Sequence, residues 1–448
     1  MSPYSRETLV AWDDAFVWHP FTPHSVYRDE DPLMIVAAEG HFLIDADGRR
    51  LLDGVSSLWC NLLGHRRPEI DAAIQDQLGR VAHATFLGNA GAPGVILAKR
   101  LIDLAPSPLA KVFFSDNGST SVEVALKMAH QFWQQSGAPE RTRFLTVGNA
   151  YHGDTVGAVS LGSIDLFHAR YGKLLFQTDT APSPYCYRCP LGQDRATCQQ
   201  ECLTALERLA EEHGPELAAI VLEPGLQGAA GMITQPEGYM RRVREVADRV
   251  GALLIFDEVA VGFGRTGSLF SCQREDVTPD FLCLAKGLTG GYLPLAATLT
   301  TQRIYDAFLG PPEEGRTFFH GHTYTGNALG AVAALATLEI LEREEIVENL
   351  APKIAYLADA LDRLRSHPMV GEIRQLGLGA GIELVADKKS KEPYPPSARM
   401  GMKVCLGARE RGVFLRPLGD VVVLMPPLTI TEPEIDQLVG AVEHGLNG

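Results

Sequence analysis

The chain has 448 residues, 46% hydrophobic and 21% charged, with 40 basic against 55 acidic side chains and a net charge of -15. That length exceeds one ordinary domain and that composition is globular, while the acidic balance argues against nucleic acid or an anionic membrane as a partner. No basic region followed by an apolar one opens the chain, no run approaches 18 apolar residues, and eight cysteines are too few for a disulfide scaffold, so a cytoplasmic protein is expected.

Residues 1–69 open with Trp18-His19-Pro20-Phe21-Thr22, followed by a predicted hairpin, MIVAAEGHFLIDADGRRLLDG, turning at Asp47-Gly48. The segment Val55 to His65 follows, and on composition its Trp59 reads as core. Residues 68 to 105 are expected to be helical, broken between Gly88 and Gly94. Lys111 to Phe114 predicts a strand that runs through Ser115-Asp116-Asn117-Gly118-Ser119-Thr120-Ser121 into a helix over Val122 to Gln135. A glycine-serine turn feeding a helix start offers amides and hydroxyls to a phosphate; the alternative is ordinary capping.

Phe144 to Val147 predicts another strand, ending in Asn149-Ala150-Tyr151-His152-Gly153-Asp154-Thr155, where an aromatic side chain is placed to stack on a planar cofactor. Cys186, Cys189, Cys198 and Cys202 approach metal-ligand spacing, but a loop of reduced thiols is the simpler reading and no metal is expected. Ala218 to Leu222 reads as a buried strand ending at Glu223, and Glu237 to Val250 as a helix. Strands alternating with helices predict an α/β fold with a mostly parallel sheet.

The apolar run Ala252 to Phe256 stops at Asp257-Glu258, and a second run, Phe281 to Ala285, stops at Lys286 before Gly287-Leu288-Thr289-Gly290-Gly291. Open α/β sheets place their ligands at the C-terminal ends of strands. A lysine there can condense with a cofactor aldehyde and carry protons, and an aspartate can keep a pyridine nitrogen protonated. Gly262 to Gly267 fits GxGxxG, the dinucleotide pattern of a nicotinamide oxidoreductase. Five residues separate it from the strand end, however, and no long helix follows.

Phe318 to Asn327 is a polar loop before the predicted helix Ala328 to Arg343. It contains His320, Gly321, His322 and Thr323; the histidines lack a third ligand and are expected to bond locally. Residues 329–448 alternate helices and short strands, with GLGAGIEL read as a closely packed strand and Arg416 before Pro417 as a surface charge or a carboxylate ligand.

FDEVAVGFGRTG followed by LAKGLTGG resembles the signature of the class III aminotransferases, which are fold-type I pyridoxal phosphate enzymes, and the likeness extends over nearly the whole chain. It implies three segments: 1–69 contributing to a small domain, a large cofactor domain at 70–328, and a C-terminal small domain at 329–448. It also implies that Gly118, Ser119, Tyr151, Asp257 and Lys286 bind pyridoxal 5'-phosphate, joined by Thr323 from the other subunit of a homodimer. Lys286, Asp257 and Tyr151 become the catalytic residues, and Trp59, Tyr151, Lys286, Gly321 and Arg416 the substrate contacts. Glu223 is expected to pair with Arg265 behind them.

Within the class, WHPFT, SSLWCNLLGH, YHGDTVGAVS and LTGGYLP resemble the diaminopelargonate aminotransferases of biotin synthesis, which aminate 8-amino-7-oxononanoate to 7,8-diaminononanoate. The usual donor there is S-adenosylmethionine, whereas HGHTYTGN and Phe21 resemble relatives that use lysine. Another ω-amino-acid:pyruvate aminotransferase is the alternative, and a non-catalytic binding protein that keeps the fold is a further one.

Overall fold

Seven buried or half-buried strands make the larger sheet: β1 (Leu109–Ser115), β2 (Arg143–Val147), β3 (Asp179–Ala181), β4 (Leu217–Leu222), β5 (Leu253–Asp257), β6 (Phe281–Leu284) and β7 (Ala296–Thr301). The computed structural model describes residues 4–448 of the chain. The strand order is β1-β7-β6-β5-β4-β2-β3. All pairings are parallel except those of β7, which runs antiparallel to both β6 and β1. Every residue of β4, β5 and β6 is buried, which explains why their sequences are continuous apolar runs rather than alternating ones.

The helix Gly118–Gln135 covers this sheet with Val122, Ala125, Leu126, Ala129 and Phe132, and Trp133 Nε1 donates to the Ala218 carbonyl at 2.9 Å. Burying such side chains contributes about 1.5–3 kcal/mol each. The helix starts four residues before the expected Val122. Asn117 caps it, accepting the Thr120 amide while the Thr120 hydroxyl accepts the Asn117 amide, a reciprocal box that fixes the first turn at Gly118. The helical stretch at 68–105 is likewise split further apart than expected, into Pro68–Leu78 and Ala92–Leu104.

The chain divides into two compact units. The larger holds residues 69–354 and 374–381, and the smaller the described residues up to 68 with 355–373 and 382–448. The helix Ala328–Arg343, expected at the start of a small domain, belongs to the larger unit, because it packs against Ala92–Leu104 and the Lys286–Thr289 turn.

In the smaller unit the expected hairpin is a three-stranded meander, Ile35–Glu39, Phe42–Asp45 and Arg50–Asp53, since the chain reverses at Gly40-His41 as well as at Asp47-Gly48. The Asp45 carboxylate receives the amides of Asp47 and Arg49 and so closes the second turn. Val413–Phe414 adds to the meander in parallel. The helices Met400–Glu410 and Glu432–Asn447 cross through glycine: a Cβ at Gly445 would lie 2.3 Å from the Val404 carbonyl oxygen. Among the described residues no helix is long and apolar enough to cross a membrane.

Candidate active site

Asp257 and Lys286 stand at the C-terminal ends of the adjacent strands β5 and β6. Asp257 closes β5 and lies in register with Cys283 of β6, three residues before Lys286. Lys286 opens a tight turn with φ 44°, a left-handed backbone rare outside glycine, and Gly290 closes it with φ 61°. Gly287, Leu288 and Thr289 are buried and hold the turn, while Lys286 itself is half-buried. A strained backbone of this kind costs on the order of 1–3 kcal/mol and persists only where packing imposes it.

Asp257 is buried and both its oxygens are engaged. Oδ1 accepts the Val259 amide at 3.0 Å, and Oδ2 lies 2.8 Å from His152 Nδ1. Neighbouring Glu258 does different work. It accepts the amides of Ser271 and Cys272 at 2.6 and 2.7 Å, anchoring the 3-10 turn Ser271–Glu275, and burial pushes its carboxyl up to about 7 despite those two bonds. The GFGRTG segment between them forms turns, with Gly264 and Gly267 at φ 92° and 94°, and leads into no long helix.

The loop after β2 supplies Tyr151 and His152. The Tyr151 amide donates to Glu223 Oε2 at 3.1 Å, its phenol donates to Asp154 Oδ2 at 2.8 Å, and its ring lies nearly parallel to that of His168 at 6.2 Å. Glu223, at the end of β4, also receives the Gly228 amide at 3.0 Å. Glu223 thus accepts two backbone amides, and the buried Arg265 sits in a turn whose carbonyl accepts the Leu378 amide. Burial raises Glu223 to about 7, His152 opposing and Asp257 adding to that shift.

The start of the helix at Gly118 is fitted against these loops. A Cβ at Gly118 would fall 2.5 Å from Val259 Cγ1, and one at Gly153, where φ is 118°, would fall 1.9 Å from Ser119 Oγ. Ser119 Oγ accepts the Asp154 amide at 3.1 Å. The first-turn amides of a helix carry the positive end of its dipole, so this corner suits an anion.

The loop 318–327 is pinned to the same helix. His322 Nδ1 lies 3.0 Å from Asp116 Oδ2, Lys127 Nζ lies 2.9 Å from His320 Nδ1, and the two Nε2 atoms are 3.3 Å apart. Burial, Lys127 and His322 all hold the His320 imidazole below its ordinary range. Gly321 and the Thr323 side chain are exposed, and the Thr323 carbonyl accepts from His83. Asn327 caps the following helix. Among the described residues no group of three or more His, Cys, Asp or Glu side chains is arranged to hold a metal ion. Of the clustered thiols, Cys198 donates to the Glu201 carboxylate.

In the smaller unit, Trp59 is buried at φ 65° in an irregular turn where Ser56 and Ser57 also have positive φ, and the Ser56 hydroxyl donates to the Met425 carbonyl at 2.7 Å. Arg416 is exposed, with Nη2 at 3.4 Å from the Phe21 carbonyl.

His152 is the residue that the sequence did not single out. Its partner lies 105 residues away, and a histidine after a tyrosine carries no spacing signal.

Residues 25–446 match the family described as aminotransferase class-III. The adenosylmethionine-8-amino-7-oxononanoate aminotransferase of Geobacter sulfurreducens is 53% identical over 448 residues, covering 100% of this chain and 99% of its own. The crystal structure of the like-named protein from Methanocaldococcus jannaschii superposes with a TM-score of 0.95 at 45% identity, covering 99% of each chain. A PLP-bound amine transaminase from an uncultivated Pseudomonas species gives 0.91 at 40% identity, covering 96% of this chain and 98% of its own.

Proposed function

This chain belongs to the class-III aminotransferases, and on that premise we propose that it transfers an amino group to 8-amino-7-oxononanoate, forming 7,8-diaminononanoate in biotin synthesis. The fold is that of the fold-type I transaminases, and the enzyme depends on pyridoxal 5'-phosphate. The observation that carries the chemistry is the placement of Asp257 and Lys286 at the ends of adjacent parallel strands. The substrate is supported by full-length relatives named for it.

The donor set suits the cofactor. A buried carboxylate held by two partners, a lysine amine, and a helix start where glycine lets backbones close up match a ring nitrogen, an aldehyde and a phosphate. When bound, pyridoxal phosphate supplies an aldehyde for condensation with amines and a ring that accepts an electron pair. Lys286 anchors it and, once its amine is freed, takes a proton from the amine-bearing carbon of the donor and returns one to the carbon of the acceptor ketone. Asp257 holds the proton on the ring nitrogen, and Tyr151 stacks on the ring. Gly118 and Ser119 receive the phosphate, together with Thr323 from a second copy. The exposure of the Thr323 side chain in a single chain supports that assignment.

Trp59, Gly321 and Arg416 are assigned to substrate by family resemblance. Trp59 suits an apolar chain, and Arg416, an exposed guanidinium, suits the acceptor's carboxylate. Glu223 and Arg265 support the shell behind them, Glu223 by fixing the Tyr151 backbone. The working unit is a homodimer, and eight cysteines, too few for a disulfide scaffold, fit a reducing cytoplasm. S-adenosylmethionine is the first choice of donor, because both relatives above carry adenosylmethionine in their names. Lysine is the second reading, favoured by the HGHTYTGN loop and Phe21.

Mixing the holoenzyme with 7,8-diaminononanoate, without acceptor, tests the assignment. Loss of the cofactor's visible absorbance is expected, since the product should run its half-reaction backwards. Retention of that absorbance in protein that S-adenosylmethionine or lysine does bleach would discard the biotin substrate and keep the aminotransferase.

A further inference from the structure

The loop 318–327 carries Gly321 and Thr323, and a chain of four side chains ties it to the segment that opens the proposed phosphate corner. Lys127 Nζ lies 2.9 Å from His320 Nδ1, His320 Nε2 lies 3.3 Å from His322 Nε2, and His322 Nδ1 lies 3.0 Å from Asp116 Oδ2. Asp116 directly follows β1, and Lys127 stands on the helix Gly118–Gln135. The chain thus has a cation at one end and a carboxylate at the other.

Only one arrangement of protons fits these contacts. An ammonium donates and cannot accept, so His320 Nδ1 is an acceptor and the ring proton sits on Nε2. That N–H meets His322 Nε2, which must accept it, and the His322 proton is left on Nδ1 for the Asp116 carboxylate. Each imidazole therefore keeps one proton, and the two are opposite tautomers. A second proton on His322 sets two N–H groups against each other, and one on His320 sets an N–H against the Lys127 ammonium. Besides each other, the rings face Lys127 and Glu123 from the helix and Asp116 from the end of β1. Burial first, then Lys127 and His322, hold His320 below the ordinary histidine range, and Glu123 works the other way.

His322 passes this constraint to the backbone. Its amide donates to Thr325 Oγ1 and its carbonyl accepts the Thr325 amide, both at 3.1 Å, closing a turn around Thr323. His83 holds the same turn from outside, with Nε2 at 2.9 Å from the Thr323 carbonyl. Fixing the His322 ring therefore fixes where the exposed Thr323 side chain is aimed.

We propose that His320 and His322 are positioning residues: as a one-way hydrogen-bond chain from Lys127 to Asp116 they hold the loop so that Gly321 and Thr323 are delivered to the site, and a second proton on either ring releases it. The inference rests on the reading of Thr323 as a phosphate contact for a second copy.

Nitrogen NMR of the holoenzyme with labelled histidine reads the proton positions. At pH 7.5 His320 is expected to carry its proton on Nε2 and His322 on Nδ1, the signals being identified by their loss in His320→Gln and His322→Gln. A doubly protonated ring, or any other pair of tautomers, overturns the proposal. Cofactor retention is the second readout. Asp116→Ala, which removes the terminal acceptor, should weaken retention by about 10-fold, the size of one charge-assisted hydrogen bond. Asp116→Asn, whose side-chain oxygen still accepts from Nδ1, should restore most of it. Between about pH 7.5 and 5.5 the parent should lose retention more steeply than His322→Leu, whose side chain takes up no proton. Parental retention in a folded Asp116→Ala, or equal pH profiles for the parent and His322→Leu, also overturns it; should Asp116→Ala not fold, the ring protons and the pH comparison decide. A Thr323→Ala enzyme with parental retention would instead reject the role of Thr323, a failure that an unchanged ring-proton pattern keeps apart from failure of the chain itself.

Discussion

Gly118 lies against Val259 so closely that a methyl group on its Cα would come within 2.5 Å of Val259 Cγ1. Val259 in turn donates its amide to Asp257, so the helix start proposed to hold the phosphate and the acid share one packing contact. Gly118→Ala should therefore cost about 1–3 kcal/mol, as overpacking does, and weaken cofactor retention at the same time. Thermal unfolding and cofactor titration of this variant check both; a stable variant with parental retention would separate the two corners.

Lys286 has two properties that different substitutions pull apart. Lys286→Ala should lose turnover by more than about 10²-fold, since no other amine is assigned to move the protons. Because φ is 44° there, Lys286→Gly should be more stable than Lys286→Ala by about 1 kcal/mol, reversing the usual order of the two residues. Melting curves of the two variants, recorded without cofactor, test the second point.

Glu258 predicts a pH effect. Its carboxyl is raised to about 7 by burial, so the folded chain binds a proton that the unfolded chain releases between about 4.5 and 7. This contribution is fully present below about 4.5 and is lost as pH rises through 7, with a size on the order of 3 kcal/mol. Glu258→Gln removes the titration. Relative to the parent, the variant should gain stability as pH rises from 5 to 8, which denaturant unfolding at the two pH values would reveal. A constant difference between parent and variant would contradict it.

The trans role of Thr323 is testable by mixing. Neither Lys286→Ala nor a Thr323 variant that loses the cofactor should be active alone. A random mixture of the two should regain about a quarter of parental activity, because half of its dimers are hybrids and each hybrid has one intact site. No recovery after confirmed subunit exchange would place Thr323 in its own subunit's site.

Strand ends were legible because buried parallel strands leave unbroken apolar runs, and Asp257 and Lys286 each mark the end of one. The capping of the helix at Gly118 was legible in principle, from Asn117 and Thr120 three residues apart. What could not be read were the partners. His152 meets Asp257 across 105 residues and Tyr151 meets Glu223 across 72, distances over which periodicity says nothing. Asp257 and Glu258 look alike as neighbours, yet one faces the site and the other seals a turn. The amides that Glu223 accepts were equally hidden, since every residue but proline carries one.

The antiparallel strand β7 sets a timetable. β1 lies at the sheet's edge and pairs with β7 alone, Ser115 opposite Ala296, about 180 residues further along the chain. The turn at Gly118 leaves directly from β1, so a nascent chain cannot complete the proposed phosphate corner until β7 has emerged from the ribosome. At 5–20 residues per second that is a wait of roughly 10–40 s. Chains truncated between Gly291 and Ala296 should therefore carry most of the site's residues and yet capture no cofactor.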